Sequence, residues 1–198
     1  MPSLTKRLML GCMLLLAAAL PLNALAGDTL QRVIDFKVLK VGMSGNQPPM
    51  TMTNRDGGLM GFDVDLAKAL ADAMKVKLEI VPMPFSELLP ALEQNKVDMV
   101  LSGLSITPER TEMVSFVGPY MMSGKSILTK NSVLAKIEAS KDFNRKDLKL
   151  VALSKSTSAA FVRAVAPEAQ LIEVGSYDDG VAMIRDGKAD ALVADMPL

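Results

Sequence analysis

The sequence contains no histidine, no tryptophan and a single cysteine, Cys12. The lack of histidine excludes catalytic triads and zinc sites that depend on an imidazole. Basic and acidic residues each number 22, so the formal net charge is zero, and the positive excess of a protein that grips nucleic acid is missing. With 198 residues, 49% hydrophobic and 22% charged, the composition is that of a globular chain of one or two domains.

The first 26 residues have the pattern of a secretory signal peptide. Lys6 and Arg7 precede the apolar run 8–20, and small residues ending at Ala26 form a cleavage site. The run is shorter than the about 20 residues that a membrane span needs, which disfavours the alternative of an uncleaved anchor. Cys12 allows a further alternative, lipidation, but the apolar run continues past it. We therefore expect export to the periplasm with cleavage after Ala26.

Cleavage there removes two basic residues and the only cysteine, and leaves 172 residues with 20 bases and 22 acids. The mature fold must then rest on core packing and not on disulfides, although its destination is oxidising. No later apolar run approaches membrane-spanning length. We expect a soluble product.

Short apolar runs alternate with helical patterns along the mature chain, which predicts an α/β fold with largely parallel sheets. The helical patterns cover 64–74 with Asp63 as N-cap, 86–94 with Ser86 as cap, 158–165 and 177–185. The predicted strands are 39–41, 78–81, 97–101, 114–117, 126–129, 150–153, 171–174 and 191–193.

An internal echo indicates how these elements are organised. Segment 92–101 (LEQNKVDMVL) matches 184–193 (IRDGKADALV), with a helix end, Lys-x-Asp and an apolar strand in register. A spacing this long indicates two similar lobes, with chance similarity of two helix–turn–strand units as the alternative. Breaker residues at 118–124 predict the crossing between lobes. We expect lobe 1 at 27–119, a hinge crossing at 120–125 and lobe 2 at 126–198.

The residues that follow the two matched strands carry opposite charges. In open α/β sheets, ligands bind beyond the carboxyl ends of the strands. After the first strand comes 102–110 (SGLSITPER), and after the second comes Asp195. Thr107 and Pro108 form a strong helix start, which puts Arg110 in the first turn, where the helix dipole disfavours a cation.

A bound anion would explain that placement of Arg110. Ser102, Ser105, backbone N–H groups and a bidentate guanidinium could hold it together. The alternative is a solvent-exposed arginine paired with Glu109 or Glu112, and the spacing alone does not decide between them.

Four segments of the chain resemble the extracytoplasmic polar amino-acid-binding proteins of ABC importers. The stretch S-G-x-S-I-T-x-x-R is the most specific of them, and the similarity runs from about residue 39 to the end. The resemblance implies a two-lobed periplasmic-binding-protein-like (type II) fold that closes over an amino acid. The segments are 61–67 (GFDVDLA), 89–92 (LPAL), 102–110 (SGLSITPER) and 191–195 (ALVAD).

The resemblance also implies a role for each matching residue. Arg110, with Ser105 and the backbone around Gly103, would hold the α-carboxylate, and Asp195 would hold the α-ammonium. Phe85 would pack against the ligand side chain. The segment 156–158 would face the ligand from lobe 2, or else serve as a plain N-cap for the helix that follows. The full set of expected ligand-binding residues is Arg110, Asp195, Ser105, Gly103, Ser102, Phe85, Ser156, Thr157, Ser158, Ser44 and Gln47.

This chain departs from the family pattern at three places. Family members often have an aromatic residue where this chain has Gln47 or Met50. Binders of basic amino acids tend to have an acid at the position of Ser44, so a cationic ligand is disfavoured. Family chains also continue for several tens of residues past the Asp195 position, so we expect the second lobe and its return segment to be incomplete here.

The resemblance implies a monomeric, non-enzymatic protein that needs no cofactor or metal and hands its ligand to a membrane ABC permease. One alternative is a periplasmic enzyme on the same fold, such as a dehydratase, whose acid–base chemistry would fall to Asp or Glu. Another is a sensor module that binds the same ligands. Met-rich pairs at 50–52 and 121–122 allow copper(I), although methionine as core filler is the commoner use.

Overall fold

The computed structural model describes residues 27–132, 134–136 and 140–196, in which strands and helices alternate as predicted. The strands are β1 Val38–Met43, β2 Asn46–Gln47, β3 Thr51–Thr53, β4 Leu59–Met60, β5 Lys77–Pro82, β6 Met99–Val100, β7 Lys125–Thr129, β8 Lys149–Leu153, β9 Gln170–Val174 and β10 Ala191–Asp195. The α-helices are α1 Gly27–Phe36, α2 Phe62–Met74, α3 Leu88–Glu93, α4 Pro108–Thr111, α5 Thr157–Val165 and α6 Tyr177–Arg185, and short 3-10 turns cover Phe85–Glu87, Leu134–Lys136 and Ser140–Phe143.

The first half of the chain is built on a parallel sheet of order β5-β1-β6. Strand β1 is central, with Val41 aligned to Ile80 on one side and to Met99 on the other. The apolar face of α2 covers this sheet, because Val64 and Ala67 are fully buried against Val41 and its neighbours. Burial of such side chains stabilises the half by about 1.5–3 kcal/mol for each large one.

The second half is built on a four-stranded sheet of order β7-β10-β8-β9. Strands β10, β8 and β9 are parallel, and β7 pairs antiparallel with β10, so that Lys125 lies opposite Asp195. Helices α5 and α6 pack on this sheet through two apolar clusters, with Val162 and Ile184 at their centres. Each half is therefore a mostly parallel sheet flanked by helices, as predicted.

The echo between the two halves is a repeat of the same hydrogen bonds. Asp98 exchanges bonds with Lys40, since its carboxylate accepts the Lys40 N–H at 2.8 Å and its own N–H donates to the Lys40 carbonyl at 2.8 Å. Asp190 makes the same two bonds with Lys149, at 2.8 and 2.9 Å. Each aspartate thus fixes the entry of its own strand to the neighbouring strand.

Three local expectations differ from the structure. Asp63 is not an N-cap, because α2 begins at Phe62, two residues before the predicted start, and Gly61 is its cap. Ser86 lies inside a 3-10 turn, and the helix begins only at Leu88. The run 114–117 forms no strand, because no neighbouring strand pairs with it, and Val117 is 96% exposed.

A small antiparallel sheet, β2-β3-β4, joins the end of β1 to α2 and was not predicted. Its strands have only two or three residues each, too few for an alternating pattern to be recognised. The sheet carries Gln47 beside the loop after β6, where a Cβ on Gly103 would come within 2.7 Å of the Gln47 amide.

The predicted signal peptide, 1–26, lies outside the described residues. Among the residues that the structure describes, none of the helices combines the length and the apolar character that crossing a membrane requires. The chain passes from the first sheet to the second through 101–124, which contain only the short helix α4.

The strand-entry aspartates give a test of this architecture. The side chain of Asp98 is 2% exposed and also pairs with Arg32, so Asp98→Ala leaves two donors without their acceptor. We expect a loss of about 1–3 kcal/mol in the free energy of unfolding, measured by urea denaturation. Asp190→Ala should cost less, because that bond is exposed.

The matched control is Glu93→Ala, an exposed change in the same segment, which should stay within about 0.5 kcal/mol of the unaltered chain. A loss for Asp98→Ala no larger than that of the control would show that the aspartate does not hold the strand entry.

Candidate functional site

Arg110 is buried at the junction of the two halves. Its side chain lies in α4, which begins as predicted with Thr107 as N-cap and Pro108 in the first position, and the Thr107 hydroxyl accepts the Arg110 N–H at 3.3 Å. The guanidinium donates to the Ser105 carbonyl at 2.8 Å and to the Lys155 carbonyl at 3.1 Å. Lys155 belongs to the second half, so this one side chain connects both halves.

The residue is 9% exposed, which argues against the solvent-exposed arginine paired with Glu109 or Glu112. Burial lowers the pKa of Arg110, and the negative charges of Asp195 and Glu109 partly offset that effect. Since arginine stays protonated in proteins, the guanidinium is a buried permanent cation that interacts electrostatically with Asp195 of the other half. Its guanidinium carbon also lies 5.8 Å from the centre of the Phe85 ring, within the range of a cation–π contact.

Asp195 ends β10 and pairs with Lys125, its antiparallel neighbour on β7. The Lys125 ammonium also donates to the Thr157 hydroxyl at 2.6 Å and to the Ser158 hydroxyl at 3.2 Å. These three acceptors match the three N–H donors of an ammonium group. The side chains of Lys125 and Asp195 are 23% and 26% exposed, so the pair is largely withdrawn from water.

A pair of hydroxyls links the arginine side of the site to the lysine side. The Ser105 hydroxyl lies 3.4 Å from that of Thr157, and Ser105 also supplies the carbonyl that Arg110 binds. The structure therefore brings Arg110, Ser105, Thr157, Lys125 and Asp195 into one polar cluster that crosses from one half to the other, named the junction cluster below.

Gly103 is held in place by a buried carboxylate next to the junction cluster. Its N–H donates to Asp63 at 2.7 Å, and the Tyr120 hydroxyl donates to the other oxygen of Asp63 at 2.9 Å. Burial raises the pKa of Asp63, and the two hydrogen bonds oppose that shift. With φ of +55° and Gln47 packed against it, position 103 suits only glycine.

The other predicted residues lie around this cluster, and most of their polar groups are already hydrogen-bonded within the protein. Ser102 is buried and exchanges hydrogen bonds with Ser44, whose N–H donates to it at 3.0 Å. The Ser156 hydroxyl caps α5 by accepting the Ala159 N–H at 3.2 Å, which fits the N-cap alternative for that residue. Gln47 is buried, and its amide oxygen has no hydrogen-bond partner among the described residues.

An apolar contact beside the junction cluster also joins the halves. Phe85 and Leu88 of the first half pack with Leu153 of the second, and Tyr177 covers them. Burial raises the pKa of Tyr177 to about 12, with a further contribution from the charge of Asp195, opposed by a hydrogen bond with Ser158. A surface depression of about 310 Å³ along Val162 and Leu171 lies elsewhere and shares no residue with the cluster.

The sequence interpretation missed Lys125 and the Asp63–Tyr120 pair. The signal for Lys125 is its place just before a predicted strand, but only the antiparallel pairing with β10 brings it to Asp195. The signal for Asp63 is a single carboxylate in an otherwise apolar helical stripe, which the N-cap interpretation accounted for wrongly.

Two mostly parallel sheets, joined by a crossing and meeting at a polar cluster, define the fold of type II periplasmic binding proteins. The chain belongs to the bacterial extracellular solute-binding proteins, family 3, whose model matches residues 39–194. A solute-binding role follows from this membership.

Curated relatives within this similarity include binding proteins and an enzyme. The chain is 31% identical over 189 residues to cyclohexadienyl dehydratase from Pseudomonas aeruginosa, covering 94% of this chain and 69% of that protein. It is 30% identical over 182 residues to ABC transporter arginine-binding protein 1 from Escherichia coli, covering 91% and 70%. The chain spans about two thirds of the length of such relatives.

Solved structures give the same result. An ancestral amino-acid-binding protein, described as a precursor of cyclohexadienyl dehydratase, superposes with a TM-score of 0.81 at 36% identity and covers 85% of this chain and 74% of that one. A mutant of ArgBP from T. maritima superposes with a TM-score of 0.78 at 30% identity and covers 84% and 72%.

The Asp63 contacts give a test of the loop that carries Gly103. Asp63→Ala leaves the Gly103 N–H and the Tyr120 hydroxyl without their acceptor, so we expect a loss of about 1–3 kcal/mol in the free energy of unfolding. Asp65→Ala, an exposed change in the same helix, is the matched control. Equal stability of the two variants in urea denaturation would contradict the role given to Asp63.

We also expect the stability difference between the unaltered chain and Asp63→Ala to depend on pH. The pKa of Asp63 is raised in the folded chain above its ordinary value of 3.8, so its folded state binds more protons than the unfolded state between the two values. The contribution of Asp63 protonation to the free energy of unfolding is therefore fully present below pH 3.8. It is lost as the pH rises through the raised pKa of the folded state. The advantage of the unaltered chain over Asp63→Ala should therefore shrink with rising pH, in denaturation curves recorded across that range.

Proposed function

We propose that the chain captures an amino acid between its two halves in the periplasm and delivers it to an ABC permease. The observation that carries the proposal is the buried Arg110 guanidinium, which the first half extends to the Lys155 carbonyl of the second, close enough to Asp195 to feel its charge. Family membership and amino-acid-binding relatives support the same conclusion.

An amino acid is a zwitterion, and the junction cluster offers a group for each of its ends. The α-carboxylate would bind the guanidinium of Arg110 together with Ser105 and the Gly103 loop, and the α-ammonium would bind Asp195. A guanidinium has five N–H donors, and the two carbonyls account for two of them.

Both halves are needed for useful affinity. A hydrogen bond to a charged group contributes about 1.5–3 kcal/mol, whereas micromolar binding needs about 8 kcal/mol. A bidentate guanidinium bond alone would supply about 3–6 kcal/mol, so contacts from the second half are needed as well. The halves, 27–119 and 126–198, would act as lobes about the crossing 120–125, so that binding and closure are one event whose closed shape a permease can recognise. A monomer suffices for this mechanism.

Removal of the guanidinium tests the carboxylate end. Arg110→Ala should weaken amino-acid binding at least ten-fold, which corresponds to about 1.4 kcal/mol, in calorimetry of the purified chain. Arg145→Ala is the control, because Arg145 is exposed and pairs with Asp147 two residues away, and it should leave the affinity unchanged. Unchanged affinity for Arg110→Ala, with a melting temperature that confirms folding, would remove Arg110 from the site.

The ammonium end is tested by Asp195→Asn, which keeps the shape of the side chain and removes its charge. We expect at least a ten-fold loss for ligands with a free α-amine and a smaller loss for their N-acetyl derivatives, measured by the same titrations. Asp186→Asn, exposed and paired with Arg185, serves as the control. Equal losses for both kinds of ligand would place the ammonium site elsewhere.

A second candidate function is a dehydratase, which the similarity to cyclohexadienyl dehydratase over 94% of this chain favours. Such chemistry needs a general acid, and because the chain has no histidine that acid would be a carboxyl, ammonium or phenol group. Asp195 is the carboxylate in the junction cluster. Incubation with prephenate and detection of the released aromatic acid decides this point, and turnover that Asp195→Asn abolishes would establish the enzyme.

A further inference from the structure

The junction cluster has an uneven balance of charge. Among the described residues, it contains two cations, Arg110 and Lys125, and one carboxylate, Asp195. The neighbouring Asp63 is occupied by Gly103 and Tyr120, and Glu109 is exposed. Before any ligand arrives, the single carboxylate of the cluster is therefore already paired with one of its two cations.

This pairing limits which ligand suits the cluster. A neutral zwitterion whose ammonium takes Asp195 must share that carboxylate with Lys125 or displace it. A displaced Lys125 keeps the Thr157 and Ser158 hydroxyls but loses its counter-charge while only 23% exposed. An unpaired, largely buried charge is strongly unfavourable. A cationic ligand makes the imbalance worse, since it adds a third positive charge.

The position of Lys125 shows where a compensating negative charge would bind. Its ammonium reaches Thr157, and the Thr157 hydroxyl lies 3.4 Å from that of Ser105, which borders Arg110. The two cations thus lie at the two ends of one hydroxyl pair. A ligand that carries a carboxylate at each of its own ends can pair with both cations.

We propose that the junction cluster selects a small acid with two carboxylates, one for Arg110 and one for Lys125. This inference rests on the proposed solute-binding function and narrows its ligand class. Two kinds of compound have this chemistry: acidic amino acids, whose ammonium would also use Asp195, and dicarboxylates without an amine, which would leave the Lys125–Asp195 pair intact. The proposal excludes arginine and lysine as preferred ligands of this chain. It therefore differs in ligand from the relative in Escherichia coli, which is named as an arginine-binding protein.

The test is calorimetry of the purified chain with glutamate, aspartate, succinate, glutarate, glutamine and arginine. Glutamate and glutamine form the matched pair, because they have nearly the same shape and differ in the second carboxylate. We expect at least one diacid to bind ten-fold or more tightly than both glutamine and arginine. Tightest binding by glutamate or aspartate would identify the ligand as an acidic amino acid. Tightest binding by succinate or glutarate would identify it as a dicarboxylate without an amine.

Tighter binding of glutamine or arginine than of every diacid would overturn the inference and leave the proposed function standing. Binding of none of these ligands, nor of any other amino acid in a thermal-shift screen, would overturn the proposed function as well.

Lys125→Met tests whether Lys125 is responsible for the preference for diacids over glutamine. Without the ammonium, the affinity ratio of diacid to glutamine should fall at least ten-fold, because Asp195 becomes free for an ammonium and the second carboxylate loses its partner. Lys130→Met, an exposed lysine just beyond the same strand, should leave the ratio unchanged. If Lys125→Met does not fold, Lys125→Gln removes the charge and keeps a donor for Thr157. An unchanged ratio in a folded variant would show that Lys125 does not select the ligand.

Discussion

A buried guanidinium must be surrounded by acceptors, and this requirement ties the two halves of the chain together. Arg110 takes one carbonyl from its own loop and one from Lys155 across the junction. Taking a charge out of water costs several kcal/mol, which only good acceptors and nearby opposite charge offset. The loop after β6, the start of α5 and the end of β10 must therefore all lie close to this side chain.

The ammonium of Lys125 must also be surrounded by acceptors, and here they are side chains. It binds one carboxylate and two hydroxyls, all from the second half. Arg110 is held by carbonyls that a ligand carboxylate can supplement, whereas Asp195 is already occupied by a charge of the chain itself. Under the proposed function, a ligand ammonium at Asp195 would therefore compete with an existing ion pair.

Local patterns predicted what depends on neighbours in sequence. The Thr107–Pro108 helix start, the Lys-x-Asp echo that ends at Asp98 and Asp190, and the α/β order are all properties of a few adjacent residues. The Asp63 and Ser86 caps were local errors in placing a helix start, whereas the other failures depended on distant partners. The run 114–117 has the composition of a strand but no strand beside it, and Lys125 reaches Asp195 only because β7 joins the second sheet antiparallel to its neighbour. Sequence spacing carries no information about such pairing.

The repeat explains why groups of opposite charge lie at this edge. Where Leu101 aligns with Val193, Gly103 aligns with Asp195, so equivalent points just beyond two equivalent strands carry different groups. In the first half the position is a glycine whose N–H donates to Asp63, and Arg110 follows it in the chain. In the second half it is a carboxylate. Because the fold places both strand ends at the junction, two copies of one turn-and-strand unit, altered in charge after the strand, are enough to bring a guanidinium and a carboxylate to the same edge.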